Sequence, residues 1–365
     1  MNAREFDVPL PGFGLSCGVR LPESSLRAWV WGPEQDGFHD VVLLVHALTG
    51  SAVAGGEGGW WAPLIGPGKV LDPTRHTVLC FNNLGSCYGS FGPRDPRFPT
   101  LDAMAEPPRS EGKGAFELPP NMPVPLTSWD QARAILLALD ALRIHTVRLT
   151  TGGSLGGMVC CNLAMLAPER FRAVAPVAST LRATPWMQGF NHIGRMAILA
   201  DPGFPDHPHR GLQLARQIAQ MTYRAEPGLV SRHPPAVDPR VIGSVQTYLE
   251  YQGRQLDRRF DAASYLCQLS AMDHHDVERP PPPPEDTESW TPRPWSLERW
   301  RARTTFIGID SDQLFRPENL LAAAETLGSR ARYLEISSLH GHDGFLIEWD
   351  AMTVVLGRAM AEADE

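Results

Sequence analysis

The stretch Thr150-Thr151-Gly152-Gly153-Ser154-Leu155-Gly156-Gly157-Met158 constrains this chain more than any other. It contains Gly-x-Ser-x-Gly, the pattern of a sharp strand-to-helix turn that lifts a serine Oγ clear of a sheet edge. Such a turn needs unusual backbone angles, and glycines beside the serine remove Cβ atoms that would clash. A bare match is weak in a chain with 33 glycines. It gains force when a strand precedes it, a helix follows it, and an acid and then a histidine come later.

The flanking sequence meets those conditions. Residues 146–151 read as a strand, 157–167 as a helix stopped near Pro168, and 171–178 as the next strand. Residues 41–45 are a continuous apolar run, which predicts a strand buried on both faces, and 77–82 reads as another buried strand. Residues 26–31 alternate and predict an early antiparallel strand, while the rest of 1–38 reads as turn-rich through Pro9, Pro11, Gly12 and Gly14. Ser128-Trp129-Asp130-Gln131 reads as a capping box. The helix behind it carries Ala132, Ile135, Leu136, Leu139 and Leu142 on one face.

From 181 to 279 the pattern becomes helical, with segments at 187–200, 212–223, 242–251 and 262–272. The run of five prolines starting at Pro280 opens a stiff linker, 280–299. Strands at 304–309 and 332–336, a helix at 317–327 and a terminal helix complete the alternation. The expected fold is α/β: a mostly parallel sheet flanked by helices, formed by 1–180 and 300–365, with 181–279 as an inserted helical lid.

Composition narrows the function. The net charge of −8, with no basic stripe, gives nucleic-acid binding no support. The N-terminal residues carry both signs of charge and are not a secretory signal. The uncharged span 149–168 is long enough for a membrane, but its four glycines and polar residues fit the strand, turn and helix instead. The six cysteines lack metal or redox spacing, so no metal is expected and a reduced, cytoplasmic state is. The two lysines, Lys69 and Lys113, lie in no Schiff-base context.

A serine hydroxyl needs an imidazole to take its proton and a buried carboxylate to orient that imidazole. Ser154 is the candidate nucleophile. Spacing leaves Asp310 and Asp312 as alternative acids, and His340 and His342 as alternative bases. Backbone amides of Leu48, just past the strand at 41–45, and of Leu155 are candidates for an oxyanion hole. His46, at the end of that strand, reads as a histidine satisfied by local hydrogen bonds.

Several stretches resemble the homoserine O-acetyltransferase family of the α/β-hydrolase superfamily. They include His46-Ala47-Leu48-Thr49-Gly50-Ser51, Gly59-Trp60-Trp61, Asn83-Leu84-Gly85 and the turn at Ser154. Within the lid region they include Phe190-Asn191 with Gly194-Arg195, Tyr251-Gln252-Gly253, Arg259-Phe260-Asp261-Ala262 and Ala271-Met272-Asp273. Ser311-Asp312 and Gly341-His342-Asp343 carry the resemblance to the C-terminal part. It covers most of residues 41–350.

The resemblance implies Asp312 and His342 as the triad partners. It implies Arg195 on the substrate carboxylate and Asp343 on its ammonium group. It further implies ping-pong transfer of an acetyl group from acetyl-CoA, or a succinyl group from succinyl-CoA, to the hydroxyl of homoserine, as in methionine biosynthesis. No permanently bound cofactor is implied. A homodimer through the lid helices is. The chain departs from the family pattern at Tyr88, often basic in relatives, at 109–116, at 124–130, and at Trp186 and His192. These flank the donor and acceptor sites, so serine or another alcohol stays open as acceptor. Ester hydrolysis with the same triad is the rival reaction, and a non-catalytic binding protein the rival class.

Overall fold

The computed structural model describes residues 3–32, 37–106, 118–279 and 295–364. Its centre is an eight-stranded sheet. The strands are β1 (Ala3–Leu10), β2 (Ser24–Trp31), β3 (Val41–Val45), β4 (Val78–Phe81), β5 (Val147–Gly153), β6 (Phe171–Val177), β7 (Arg303–Ile309) and β8 (Ala331–Ile336). Their order across the sheet is β1-β2-β4-β3-β5-β6-β7-β8. β2 runs antiparallel to both β1 and β4, and every other pairing is parallel.

The side-chain period of two divides each strand between two apolar layers. Leu43, Val45, Leu79 and Phe81 face a layer that includes α1 (Ser128–Ala141), α2 (Leu155–Leu166) and α8 (Pro317–Leu327). Val42, Leu44, Val78 and Cys80 face the other layer, built from Trp61, Leu64, Leu71 and the inner side of α9 (Trp349–Glu362). Both faces are therefore covered, which is why these strands read as unbroken apolar runs.

Three details of the sheet and its flanking helices differ from the sequence reading. β1 lies in what reads as turn. Its charged residues and Pro9 sit at the sheet edge, where a strand tolerates both. Phe6, Val8 and Leu10 still alternate inward, and Arg27 on β2 bridges Glu5 and Asp7 outside. The capping box starts one residue earlier than expected. Thr127 is the N-cap, its side chain accepting from the Asp130 amide while Asp130 reaches back to the Thr127 amide. Finally, α2 begins at Leu155, directly after the serine, rather than at Gly157.

Among the described residues between β6 and β7 lie five α-helices: α3 (Pro185–Leu199), α4 (His209–Tyr223), α5 (Glu226–Arg232), α6 (Ser244–Asp257) and α7 (Ala262–Asp273). α5 has no counterpart among the predicted segments. Most of the expected linker, 280–294, and the 109–116 departure lie outside the described residues.

Sheet topology fixes where chemistry can occur. The chain leaves β3 toward β4 on one side, whereas β5 pairs with β3 on the other. A crevice opens at the carboxyl ends of strands where the winding reverses in this way. Leu48 follows β3 and Ser154 follows β5, so both border that crevice.

Candidate active site

Ser154 has φ 58° and ψ −125°, a left-handed, strained conformation for a residue with a Cβ. The turn survives because its neighbours are bare. A Cβ on Gly156 would lie 2.1 Å from the Val45 carbonyl oxygen, and one on Gly152 would lie 2.2 Å from it. Ser154 is anchored by its own amide, which donates to the Val177 carbonyl at 2.9 Å. The first amides of α2 have no intrahelical acceptor, so the helix start at Leu155 presents donors and positive potential beside the serine.

The histidine comes from the loop after β8. His342 Nδ1 lies 2.6 Å from Asp312 Oδ2. The other Asp312 oxygen accepts from the amides of Leu314 and Phe315 at 2.8 and 2.9 Å. That carboxylate is buried with both oxygens bonded, as an imidazole-orienting acid requires. Asp310 instead accepts from the Ser337 hydroxyl and the Ser338 amide, a loop-fastening role. His340 lies outside the pair, its amide donating to Ser338 Oγ. Geometry thus separates both alternatives that spacing leaves open.

The His342 ring is boxed by Phe315, stacked at 5.2 Å, and by Tyr223 and Phe345 at 5.4 and 5.7 Å. Burial pushes its pKa down, but the charge and hydrogen bond of Asp312, with the charge of Asp343, outweigh burial and lift it above the ordinary 6.5. The loop is tied down by the Trp61 indole donating to the Phe345 carbonyl at 2.9 Å. Gly341, at φ 63°, passes so close to the end of α4 that a Cβ there would lie 2.7 Å from the Tyr223 carbonyl oxygen. The His342 loop and the helical insertion are therefore packed against each other.

A general base works as neutral imidazole, so covalent labelling of Ser154 by an electrophile should rise with pH through a His342 pKa above 6.5. Asp343→Asn removes a charge that favours imidazolium. The acid limb of the Ser154 labelling rate should then move to lower pH, whereas an unmoved or upward-shifted limb would rule out this electrostatic role.

His46 is structural, as the sequence reading has it. Its Nδ1 lies 2.7 Å from the Ala47 carbonyl oxygen, and its Nε2 accepts from the Asn83 amide at 2.9 Å. Burial drives its pKa down to about 4, so it stays neutral and braces the turn into Leu48.

Ser154 and His342 open into a cavity of ≈ 420 Å³. Leu48, Trp60 and Tyr88 line it from the core, and Arg216, Tyr223 and Arg259 from the insertion. Asp343 also lines it and pairs with Arg224 at 3.1 Å. Arg195 does not line it. Its guanidinium lies 2.5 Å from Asp273, which also accepts from Asn191 at 2.8 Å. Arg195 therefore joins α3 to α7, and the expectation that it meets substrate is corrected. Arg216, on α4, occupies the cavity in its place. Its guanidinium stands over the Tyr223 ring at 5.5 Å. The Gln220 amide, oriented to suit both neighbours, accepts from Arg216 and donates to Tyr248. Sequence carried a signal for it. Arg216 and Tyr223 are seven residues apart, two helical turns, and so share one face.

No group of histidine, cysteine and carboxylate side chains among the described residues could hold a metal ion. No helix among them is long and apolar enough to cross a membrane.

This sheet order, with a strained serine after β5 and a His–Asp pair from the loops after β8 and β7, defines an α/β hydrolase fold, and that family's model matches residues 40–347. Finer kinship follows from sequence. A homoserine O-acetyltransferase of Thermus thermophilus is 40% identical over 366 residues, covering 94% of this chain and 88% of that protein. The homoserine O-acetyltransferase of Staphylococcus aureus superposes with a TM-score of 0.74 at 25% identity, covering 98% and 95% of the two chains. Esterase E22 superposes with a TM-score of 0.75 at 17% identity, covering 98% and 100%, so the fold alone does not separate transfer from hydrolysis. The chain belongs to the homoserine O-acetyltransferase family and is an acyltransferase.

Proposed function

We propose that this enzyme moves an acetyl group from acetyl-CoA to the side-chain hydroxyl of L-homoserine through an acyl-serine intermediate. The carrying observation is the single cavity in which Ser154 and His342 meet the guanidinium of Arg216 and the carboxylate of Asp343, while the second lining arginine, Arg259, is engaged by Thr49 and Tyr88. A zwitterionic amino acid needs that pairing of a planar cationic fork and an anion. The names of the relatives supply the acetyl group and homoserine.

In the first half-reaction His342 takes the Ser154 proton as Oγ attacks the thioester carbonyl. The amides of Leu48 and Leu155 hold the oxyanion. The tetrahedral intermediate then collapses, the C–S bond breaks, and His342 returns the proton to the departing thiolate. In the second, His342 deprotonates the homoserine hydroxyl as it attacks the acyl-serine; the new tetrahedral intermediate collapses, the bond from the acyl carbon to Oγ breaks, and His342 returns the proton to Oγ. Arg216 holds the acceptor carboxylate and Asp343 its ammonium. The aromatic box around His342 limits competing water.

We place the enzyme in the cytoplasm, where its six free thiols stay reduced, on the methionine route. Exposed Leu214, Met221, Tyr251 and Ile242 on and beside α4 and α6 support a homodimer through the insertion. Sedimentation should then give twice the 40.2 kDa chain mass, and a monomer would reject it.

The test of the reaction is thiol release from acetyl-CoA and succinyl-CoA with homoserine, serine or no acceptor. Fast release only with acetyl-CoA and homoserine, yielding O-acetylhomoserine, is expected. Equal release without acceptor would mean a hydrolase. Preference for serine or for succinyl-CoA would overturn the assigned substrates.

A further inference from the structure

Residues 47–50 form a tight turn, with the Gly50 amide donating to the Ala47 carbonyl at 2.9 Å. Its core side is fastened through His46, as described. Its outer side is held from the insertion. Arg259 Nη1 donates to the Thr49 carbonyl at 2.7 Å and to the Tyr88 hydroxyl at 2.9 Å, and Nη2 lies 3.5 Å from Thr49 Oγ1. Arg259 stands in the short connection between α6 and α7. Its backbone is anchored there too. Phe260 packs edge-on against the Tyr88 ring at 5.7 Å, and the Arg259 carbonyl accepts from Cys87 Sγ at 3.9 Å.

We propose that Arg259 is a positioning residue that ties the helical insertion to the oxyanion turn, setting the Leu48 amide for catalysis. Thr49 is the next residue after Leu48, so a tether on its carbonyl limits rotation of the adjoining peptides. A planar guanidinium suits this task because one rigid fork reaches two acceptors at once. A lysine ammonium also has donors for two acceptors, but it is a shorter, non-planar head and cannot keep the contact that Nη2 makes with Thr49. Seating of the insertion and readiness of the oxyanion hole thereby become one event. The inference rests on Leu48 serving as an oxyanion donor and does not depend on which acceptor is used.

The test uses the rate at which a neutral alkyl fluorophosphonate labels Ser154, since its P=O oxygen enters the same hole and it carries no CoA phosphates. Arg259→Ala should slow labelling by about tenfold or more. It should lower kcat for thiol release while the homoserine KM stays within about twofold and the thermal midpoint within about 3 °C. Arg259→Lys should recover part of the rate, and Tyr88→Phe should retain most of it because the Thr49 tether remains. Unchanged labelling with a raised acetyl-CoA KM would overturn the proposal and make Arg259 a contact for the donor's phosphates. Equal losses in Arg259→Lys and Arg259→Ala, with a lowered midpoint, would overturn it in favour of a packing role. Failure of the homoserine reading would leave labelling untouched, so the two outcomes are distinguishable.

Discussion

Ser154→Ala should abolish acyl transfer, lowering kcat by at least about 10⁴-fold, while the fold and thermal midpoint stay close to those of the native enzyme. The size follows from chemistry. In the proposed mechanism Ser154 supplies the bond that carries the acyl group, and among the described residues no second serine in the cavity is equipped to replace it. Ser51 also lines it, but its hydroxyl oxygen accepts from the Val53 amide at 3.3 Å and its carbonyl from the Trp60 indole at 2.9 Å, a turn-fastening role. The fold should persist because alanine keeps the backbone amide that donates to Val177. Alanine carries the same Cβ, so the strain at φ 58° is neither relieved nor increased. A variant retaining more than about one per cent of the native rate would remove Ser154 from the mechanism.

The second large effect separates two arginines. Arg216→Ala should cut kcat/KM for homoserine by about 10²-fold, the worth of a charge-assisted fork on a desolvated carboxylate. Formation of the acyl-enzyme from acetyl-CoA should change little. Arg195→Ala should do the reverse of what the family resemblance implies. It leaves Asp273 beside Asn191 without its cation, so stability should fall by roughly 1–3 kcal/mol while acceptor KM moves little. Calorimetry and half-reaction kinetics on the two variants check this together. A raised homoserine KM in Arg195→Ala with a native value in Arg216→Ala would reverse the assignment.

That contrast shows what sequence could and could not carry. Strands β3 and β4 are legible because a strand covered on both faces must be apolar nearly throughout, and such runs are hard to mistake. β1 hides because an edge strand is released from that demand and can hold Pro9 and three charges. The serine, acid and histidine are legible as an ordered set, since each must follow a strand end. Which acid meets which histidine is a matter of loop path, seen in the 2.6 Å contact between Asp312 and His342 and not in the spacing. Which arginine lines the cavity is not legible for a related reason. Arg195 and Arg216 both sit on helices of the insertion, and only the docking of those helices decides which faces the cavity. The same docking brings Gly341 against the end of α4, so a glycine in the histidine loop answers to a helix far earlier in the chain.

The most direct measurement is intact-protein and peptide mass spectrometry after mixing the enzyme with acetyl-CoA in the absence of acceptor. One acetyl group should appear, on the peptide that contains Ser154, together with one equivalent of CoA thiol. Homoserine should discharge it as O-acetylhomoserine, and Ser154→Ala should show neither label nor burst. Transfer to homoserine by an enzyme that never carries the acetyl group, or that carries it on another residue, would contradict the account.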